Sequence, residues 1–157
     1  MNKIDIQFIE SLPKDIEKKM TDELIEYETN HGIVCGYKRY SIVLQNVDQT
    51  IGVLNYYVAF AEIYVDDIWI EQKHRGRGYG RKLLDALENN FEGEGFNNIN
   101  LVTSAFQAPE FYQKCGFTKE FVRENIQNPK LTKTFFIKYF ANSLQTQGIL
   151  RASILPG

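Results

Sequence analysis

Three glycines fall within five residues, Gly76, Gly78 and Gly80, and an amphipathic helix pattern begins directly after them in the run EQKHRGRGYGRKLLDALENNF at residues 71–91. A helix N-terminus presents backbone N–H groups that have no partner inside the helix, together with the positive end of the helix dipole. Glycines there let an anion reach the backbone, and the geometry suits a phosphate or a pyrophosphate. The spacing therefore predicts an anion site at the start of this helix.

Three arginines flank these glycines, Arg75, Arg77 and Arg81, and their side chains could add charge-assisted hydrogen bonds to the anion. The loop is not a P-loop, because no Lys-Ser/Thr follows the glycines. It also departs from the dinucleotide fingerprint, which needs Gly-x-Gly-x-x-Gly where this chain has Gly-x-Gly-x-Gly. Taken alone, the glycines leave a second interpretation open: a tight turn that packs a helix against a sheet.

A second motif, APEFYQKCGF at residues 108–117, follows about thirty residues later, inside the wider run VTSAFQAPEFYQKCGF. Together with the Arg-x-x-Gly-x-Gly form at residues 75–80, it resembles the GNAT superfamily of acetyl-CoA-dependent N-acetyltransferases, in a branch of small bacterial-type enzymes. The resemblance covers residues 62 to about 140, and the first sixty residues only in the order of their elements. It implies a direct transfer of an acetyl group from acetyl-CoA to a primary amine, with no metal.

The resemblance also implies how the cofactor would be held. The pyrophosphate would lie on the backbone of residues 75–81, and the pantetheine arm would pair like an added strand where two neighbouring strands splay apart. The implied cofactor-binding residues are Ile68, Trp69, Ile70, Arg75, Gly76, Arg77, Gly78, Tyr79, Gly80, Arg81, Gln107 and Tyr112. Ala105 departs from the family pattern, which often has an Asn that contacts the pantetheine arm, and Ser104 or Gln107 is the candidate substitute.

Three groups are the candidate catalytic residues. By the resemblance, the backbone N–H of Ile70 polarises the thioester carbonyl, and Tyr112 is the general acid that protonates the leaving thiolate. Alternate residues of a strand share a face, which predicts that Tyr64, Asp66, Ile68 and Ile70 lie together. Asp66 would then point towards the acetyl group and is the candidate general base, with a chain of waters as the alternative.

The hydrophobic pattern predicts the elements that position these residues. In chain order they are a strand at 4–8, a helix ending near 30, strands at 37–44, 51–60 and 62–70, the helix after the glycines, a strand at 99–103, a short helix at 109–114, and strands at 117–123 and 132–140. We predict an α/β (α+β) fold: one GNAT-like domain over residues 1–142, with a central mixed, mostly antiparallel twisted sheet, flanking helices and a splayed strand pair that holds acetyl-CoA. Residues 143–157 are a tail of uncertain role.

Composition limits the class of protein. The chain has 157 residues, is 43% hydrophobic and has a net charge of −2, which fits a folded domain and argues against nucleic acid as the main partner. The only cysteines, Cys35 and Cys115, form neither a disulfide framework nor a zinc pair. His74 is predicted to be solvated and to bind no metal. No apolar stretch approaches the ~18 residues of a membrane span, so a cytoplasmic protein without a membrane partner is expected.

Two functions remain open: an acetyltransferase, or a catalytically silent acyl-CoA-binding module that regulates. Tyr112 favours the enzyme, because binding alone needs no thiolate donor. The amine acceptor, whether a small molecule or a peptide, is not named by the sequence. A homodimer contact is a further hypothesis, built on aromatic residues of the last strand: Phe135, Phe136, Tyr139 and Phe140.

Overall fold

A computed structural model describes residues 4–141, so the predicted tail at 143–157 lies outside the described residues. The chain divides into two compact units, Met1–Cys35 and Gly36–Gly157. In residues 4–141 there is no helix of the length and apolar character that a membrane crossing requires. The prediction of one domain over residues 1–142 stays a prediction.

The first unit contains one helix, α1 (Lys14–Asn30), at the place where the sequence predicts it. Asp15 and Glu17 in its first turn complement the helix dipole, and the helix ends where Gly32 adopts a φ of 70°. The predicted strand at residues 4–8 is wrong: no strand in the described part of the chain pairs with it. Its alternating pattern is that of a strand, but an extended segment without a partner ladder is not a strand.

The second unit is built on one sheet of six strands in the order β1-β2-β3-β4-β6-β5. The strands are β1 (Lys38–Asn46), β2 (Gln49–Ala59), β3 (Glu62–Ile70), β4 (Asn98–Ser104), β5 (Thr118–Arg123) and β6 (Lys133–Tyr139). Two helices follow strands, α2 (Tyr79–Phe91) after β3 and α3 (Glu110–Lys114) after β4. Every pairing is antiparallel except β3 with β4, so the predicted mixed, mostly antiparallel sheet is confirmed.

The core lies between α2 and one face of this sheet. Leu83, Leu84 and Leu87 form the buried stripe of α2 that the sequence predicts. They belong to one cluster with buried strand residues such as Ile63 and Phe136. Each such side chain contributes about 1.5–3 kcal/mol to folding through burial.

Two of the four aromatic residues in the homodimer hypothesis belong to the core. Phe136 is 1% exposed and Phe140 is 5% exposed. These two side chains therefore cannot form an exposed contact surface, and that part of the hypothesis is wrong. Only Phe135 and Tyr139 of the original four are partly exposed.

The only parallel pairing in the described sheet is also the shortest. Strands β3 and β4 pair over Glu62–Tyr64 and Asn98–Asn100, and beyond this point the two strands separate. The predicted splayed strand pair is therefore present, and it opens towards the C-terminal end of β3.

A β-bulge interrupts β3 just past this pairing. Tyr56 of β2 pairs with Val65, whereas Asn55 pairs with Asp67, so Asp66 is an extra residue outside the ladder. An extra residue shifts the alternation of side chains between the two faces of a strand by one position. Residues before and after the bulge therefore do not follow one simple alternation.

The bulge overturns the predicted arrangement of side chains on β3. Ile68 and Ile70 pack against the core, on the α2 face of the sheet. On the opposite face of the sheet, the ring of Tyr64 stacks on the ring of Tyr57, and Asp66 forms an ion pair with Arg39. Asp66 therefore does not share a face with Ile68 and Ile70, because the sequence reasoning assumed an unbroken alternation.

Candidate active site

A cavity of about 650 Å³ lies between the end of β3, the glycine loop and α3. All of the predicted cofactor-binding residues line it except Arg77 and Arg81. Its wall also contains three residues that sequence reasoning did not select, His74, Ala108 and Phe111. The tertiary structure thus brings the two sequence motifs together at one cavity.

The end of β3 offers backbone groups to the gap between the splayed strands. The N–H of Glu71 donates to the carbonyl of Ile51 at 2.9 Å, which directs the backbone groups of Glu71 and Trp69 towards β2. Because hydrogen-bonding direction alternates along an antiparallel strand, the N–H and C=O groups of Ile68 and Ile70 point away from β2. That is the side on which β4 has moved away.

Gly76 and Gly78 adopt backbone conformations that disfavour other residues, with φ of 74° and 79°. Gly78 is the N-cap of α2 and provides no side-chain acceptor for the N–H groups of the first turn. A Cβ built on either glycine would meet no described atom within 4 Å, so the space beside this backbone is open. An anion could therefore approach the start of α2 directly.

Two further glycines allow close packing beside the cavity. A Cβ on Gly80 would lie 3.0 Å from Cζ of Phe111, so the third glycine of the loop lets α2 approach the ring from α3. A Cβ on Gly52 would lie 2.7 Å from Cδ1 of Ile70, its partner across β2 and β3. Gly80 therefore has a packing role, which was the alternative interpretation of the loop, and it also lines the cavity.

The three arginines of the loop differ in their surroundings. Arg75 donates from Nε to the carbonyl oxygen of Ile70 at 2.9 Å and lines the cavity. Arg77 and Arg81 do not line it. Arg75 therefore connects the loop to the end of β3, in addition to carrying a positive charge.

Tyr112 lies on α3 with its ring among three others, those of Phe111, Phe117 and Phe136. Burial is the main cause that raises the pKa of the Tyr112 hydroxyl, with smaller contributions from Cys115 and Asp67. The hydroxyl is therefore protonated at neutral pH, as a general acid requires. Its role in catalysis stays a prediction.

Gln107 and Ser104 are bound to each other at the end of β4. The Gln107 side-chain oxygen accepts from the Ser104 N–H at 2.9 Å, as part of a capping box. Gln107 also lines the cavity. The side-chain nitrogen of Gln107 is a donor that could reach a pantetheine arm.

His74 is not solvated as predicted, because its side chain is only 13% exposed and lines the cavity. Its Nε2 lies 3.4 Å from Oε2 of Glu71. Within the described residues, that Oε2 and the His74 Nδ1 are buried without a hydrogen-bond partner. The position of His74 between the strand end and the glycines was the available sequence signal. Residues 4–141 contain no group of three or more His, Cys, Asp or Glu able to hold a metal ion.

The family of the protein follows from a comparison with protein-family models. The family model described as "Acetyltransferase (GNAT) domain" matches residues 29–119, which is more than half of the chain. The chain therefore belongs to the GNAT acetyltransferase family, and the resemblance noted in the sequence is confirmed. Members of this family use acetyl-CoA.

Similar solved structures support the same fold. An acetyltransferase from Bacillus cereus ATCC 14579 is 25% identical, with a TM-score of 0.69 over 85% of this chain and 98% of the other. An acetyltransferase described as putative, from Agrobacterium tumefaciens, is 22% identical, with a TM-score of 0.72 over 87% of this chain and 100% of the other. An aminoglycoside 6'-N-acetyltransferase in complex with coenzyme A is 16% identical, with a TM-score of 0.53 over 76% and 79%. No curated protein matches the sequence.

Proposed function

We propose that the protein transfers the acetyl group of acetyl-CoA directly onto a primary amine of a small molecule or a peptide. The observation that carries this proposal is one cavity that joins the open edge of β3 to the N-terminus of α2. Such a cavity offers strand-like pairing to an amide-containing arm and an anion site to a pyrophosphate. One structurally similar acetyltransferase contains coenzyme A, which supports the same ligand here.

The cofactor would enter with its pyrophosphate on the backbone of Gly76 and Gly78, beside the guanidinium of Arg75. Its pantetheine arm would then run along β3 from Ile70 towards Ile68, whose backbone groups point into the gap. Each charge-assisted hydrogen bond at the pyrophosphate would contribute on the order of 1.5–3 kcal/mol. The arm would place the thioester near the point where β3 and β4 part.

Transfer begins when the neutral amine attacks the thioester carbon. The N–H of Ile68 is the proposed donor to the developing oxyanion, because it points into the gap at the acetyl end of the arm, whereas the N–H of Ile70, the donor that the resemblance implies, lies roughly 7 Å closer to the glycine loop. The tetrahedral intermediate then expels the coenzyme A thiolate, Tyr112 donates its proton to the sulfur, and the proton lost by the attacking nitrogen returns through water to restore the Tyr112 hydroxyl. Because burial raises the pKa of Tyr112, its hydroxyl carries the proton at neutral pH when the thiolate forms.

The mechanism also requires a base that removes the proton of the amine. An alkyl ammonium has a pKa of about 10.4, so a carboxylate or a chain of waters must accept its proton before attack. Asp66 remains a candidate, since the bulge places it at the point where β3 and β4 separate. Its pairing with Arg39 on the face opposite Ile68 and Ile70 makes a relay through water necessary for this role.

Isothermal titration with acetyl-CoA tests the proposal, with ATP and NAD as controls for other phosphate ligands. We expect micromolar, selective binding of acetyl-CoA, followed by thiol release when a panel of primary amines is added. A folded sample that fails to bind acetyl-CoA would overturn the proposal. Binding without thiol release for any amine would support a silent acyl-CoA-binding module instead.

A further inference from the structure

A second hollow, of about 210 Å³, opens at the point where β3 and β4 part, and Asp66, Tyr57 and Tyr64 are among its lining residues. Its β4 wall includes Asn100, which with Tyr64 forms the last pair before the strands separate. The rings of Tyr57 and Tyr64 stack at 4.7 Å with an interplanar angle of 12°. The hollow is therefore a small space with aromatic and carboxylate walls.

The carboxylate of Asp66 already forms an ion pair with a cationic side chain. The guanidinium of Arg39 lies 2.7 Å from Oδ2 of Asp66. The Asp66 side chain is 30% exposed, whereas that of Arg39 is 63% exposed. An ion pair with so exposed a cation contributes little net stability, so another cation can displace the arginine at small cost.

The two other carboxylates of β3 do not line this hollow: Asp67 is exposed outside it, and Glu62 is engaged through both of its oxygens. Glu62 accepts a hydrogen bond from the Tyr64 hydroxyl through one oxygen. Its other oxygen accepts from the side-chain nitrogen of Asn98 at 3.0 Å. Asp66 is therefore the carboxylate of β3 that lines the hollow, together with Tyr57 and Tyr64.

Asp66 also lies next to the proposed position of the thioester. The pantetheine arm leads away from the glycine loop along Ile70 and then Ile68, so its acetyl end approaches the bulge. Asp66 precedes Ile68 by two residues, roughly 7 Å along an extended strand. An amine bound at Asp66 would therefore be within about one small molecule's length of the acetyl group.

We propose that Asp66 anchors one ammonium group of the acceptor in this hollow, that a second, neutral amine of the same acceptor attacks the thioester, and that Arg39 holds the anchoring position until the acceptor displaces it. This inference rests on the proposed acetyl transfer. The anchored part of the acceptor is a small alkylammonium group, because the hollow is only about 210 Å³. An outer face of the stacked tyrosine pair would bind the cation, and this favours an ammonium over a neutral group of equal size.

The test is the binding of n-butylammonium by the full chain, measured by NMR titration at constant ionic strength, with n-butanol as the neutral isostere. We expect tighter binding of the ammonium ion than of the alcohol. Asp66→Asn should weaken ammonium binding at least about tenfold, since it removes a charged partner. Arg39→Gln should strengthen it by up to about fivefold, because the internal competitor is removed.

Arg123→Gln is the matched control, since it removes an arginine that contacts the ring of Phe135 from strand β5 of the same sheet. It should leave ammonium binding unchanged. Equal affinity for n-butylammonium and n-butanol, or an Arg39→Gln variant that binds no more tightly than the unmodified chain, would overturn the anchor. Arg39→Gln therefore tests the anchor even if Asp66→Asn does not fold.

Acetyl-CoA titration of the same variants separates this inference from the proposed function. Retained acetyl-CoA binding without ammonium binding would refute the anchor and leave the acetyl transfer standing. Ammonium binding that depends on Asp66, in a folded chain that does not bind acetyl-CoA, would support the cation site and refute acetyl transfer.

Discussion

The Nε of Arg75 donates to the carbonyl oxygen of Ile70 at 2.9 Å, and this bond joins the first arginine of the glycine loop to the last residue of β3. The two residues belong to the two halves of the proposed cofactor site. Ile70 presents its N–H to the gap between the strands, and Arg75 lies beside the glycines. The distance between the pantetheine and pyrophosphate positions therefore depends on this contact.

Arg75→Lys should weaken acetyl-CoA binding by about tenfold or more, because lysine keeps the charge but lacks the Nε donor that reaches Ile70. Arg77→Lys is the matched control in the same loop, since Arg77 does not line the cavity. Calorimetric titration of both variants measures the effect. Equal losses in the two variants would mean that only the total charge of the loop matters.

Gly78→Glu should abolish acetyl-CoA binding, because it places a side chain and a negative charge beside the proposed pyrophosphate position. The substitution also strains the backbone, since a non-glycine residue at positive φ costs about 1–2 kcal/mol. Gly93→Glu controls for this strain: its φ is 80° against 79° for Gly78, and a Cβ at either glycine meets no described atom within 4 Å. Thermal melting should show similar destabilisation in both, and normal cofactor affinity in Gly78→Glu would remove the loop from the site.

Tyr112→Phe should leave acetyl-CoA binding intact and lower kcat by ~10²–10⁴-fold, the range usual for acid–base catalysis. The pKa of Tyr112 is raised above 10.0, so the proton needed by the leaving thiolate is present at neutral pH and is lost only in more alkaline solution. The kcat of the unmodified chain should therefore fall on an alkaline limb above pH 10, and the variant should lack that limb. An unchanged kcat with a responsive amine would exclude Tyr112 from the reaction.

Tyr64→Phe should change how stability depends on alkaline pH. The hydrogen bond to Glu62 is the main cause that raises the pKa of Tyr64 from 10.0 to about 12. The unfolded chain then loses this proton before the folded chain does, so the stabilisation is complete below pH 10 and disappears between pH 10 and 12. The difference in unfolding free energy between the two proteins, measured by urea denaturation from pH 9 to 12, should shrink across this window. A constant difference would contradict the prediction.

Local sequence patterns predicted most of the second unit. The apolar spacing of Leu83, Leu84 and Leu87 indicated the buried face of α2, and the β-branched and aromatic residues at 62–70 indicated the whole of β3. These patterns suffice because helix periodicity and strand-forming composition are properties of a short segment. The alternation at residues 4–8 predicted a strand wrongly, since a strand also requires a partner that no local pattern supplies.

The β-bulge in β3 could not be predicted from the local residue pattern. An extra residue at Asp66 exists only in relation to the register of β2, where Asn55 and Tyr56 are consecutive but their partners are not. The burial of His74 and the fit of Ile70 against Gly52 are likewise contacts between segments distant in the chain or outside any periodic element. The bulge and the contact of Ile70 with Gly52 have no signature in a single stretch of sequence, and the signal for His74 was its position between the strand end and the glycines.

By itself, the sequence determined the kind of protein: two spaced motifs indicated the GNAT family and located the glycine loop and Tyr112. The tertiary structure alone decided which faces these residues share, directing Ile68 and Ile70 to the core, and Asp66 to Arg39 on the opposite face. The physical reason is that a sequence motif indicates what a short backbone segment can bind. The direction of each side chain instead depends on the register between strands, which is set by long-range pairing.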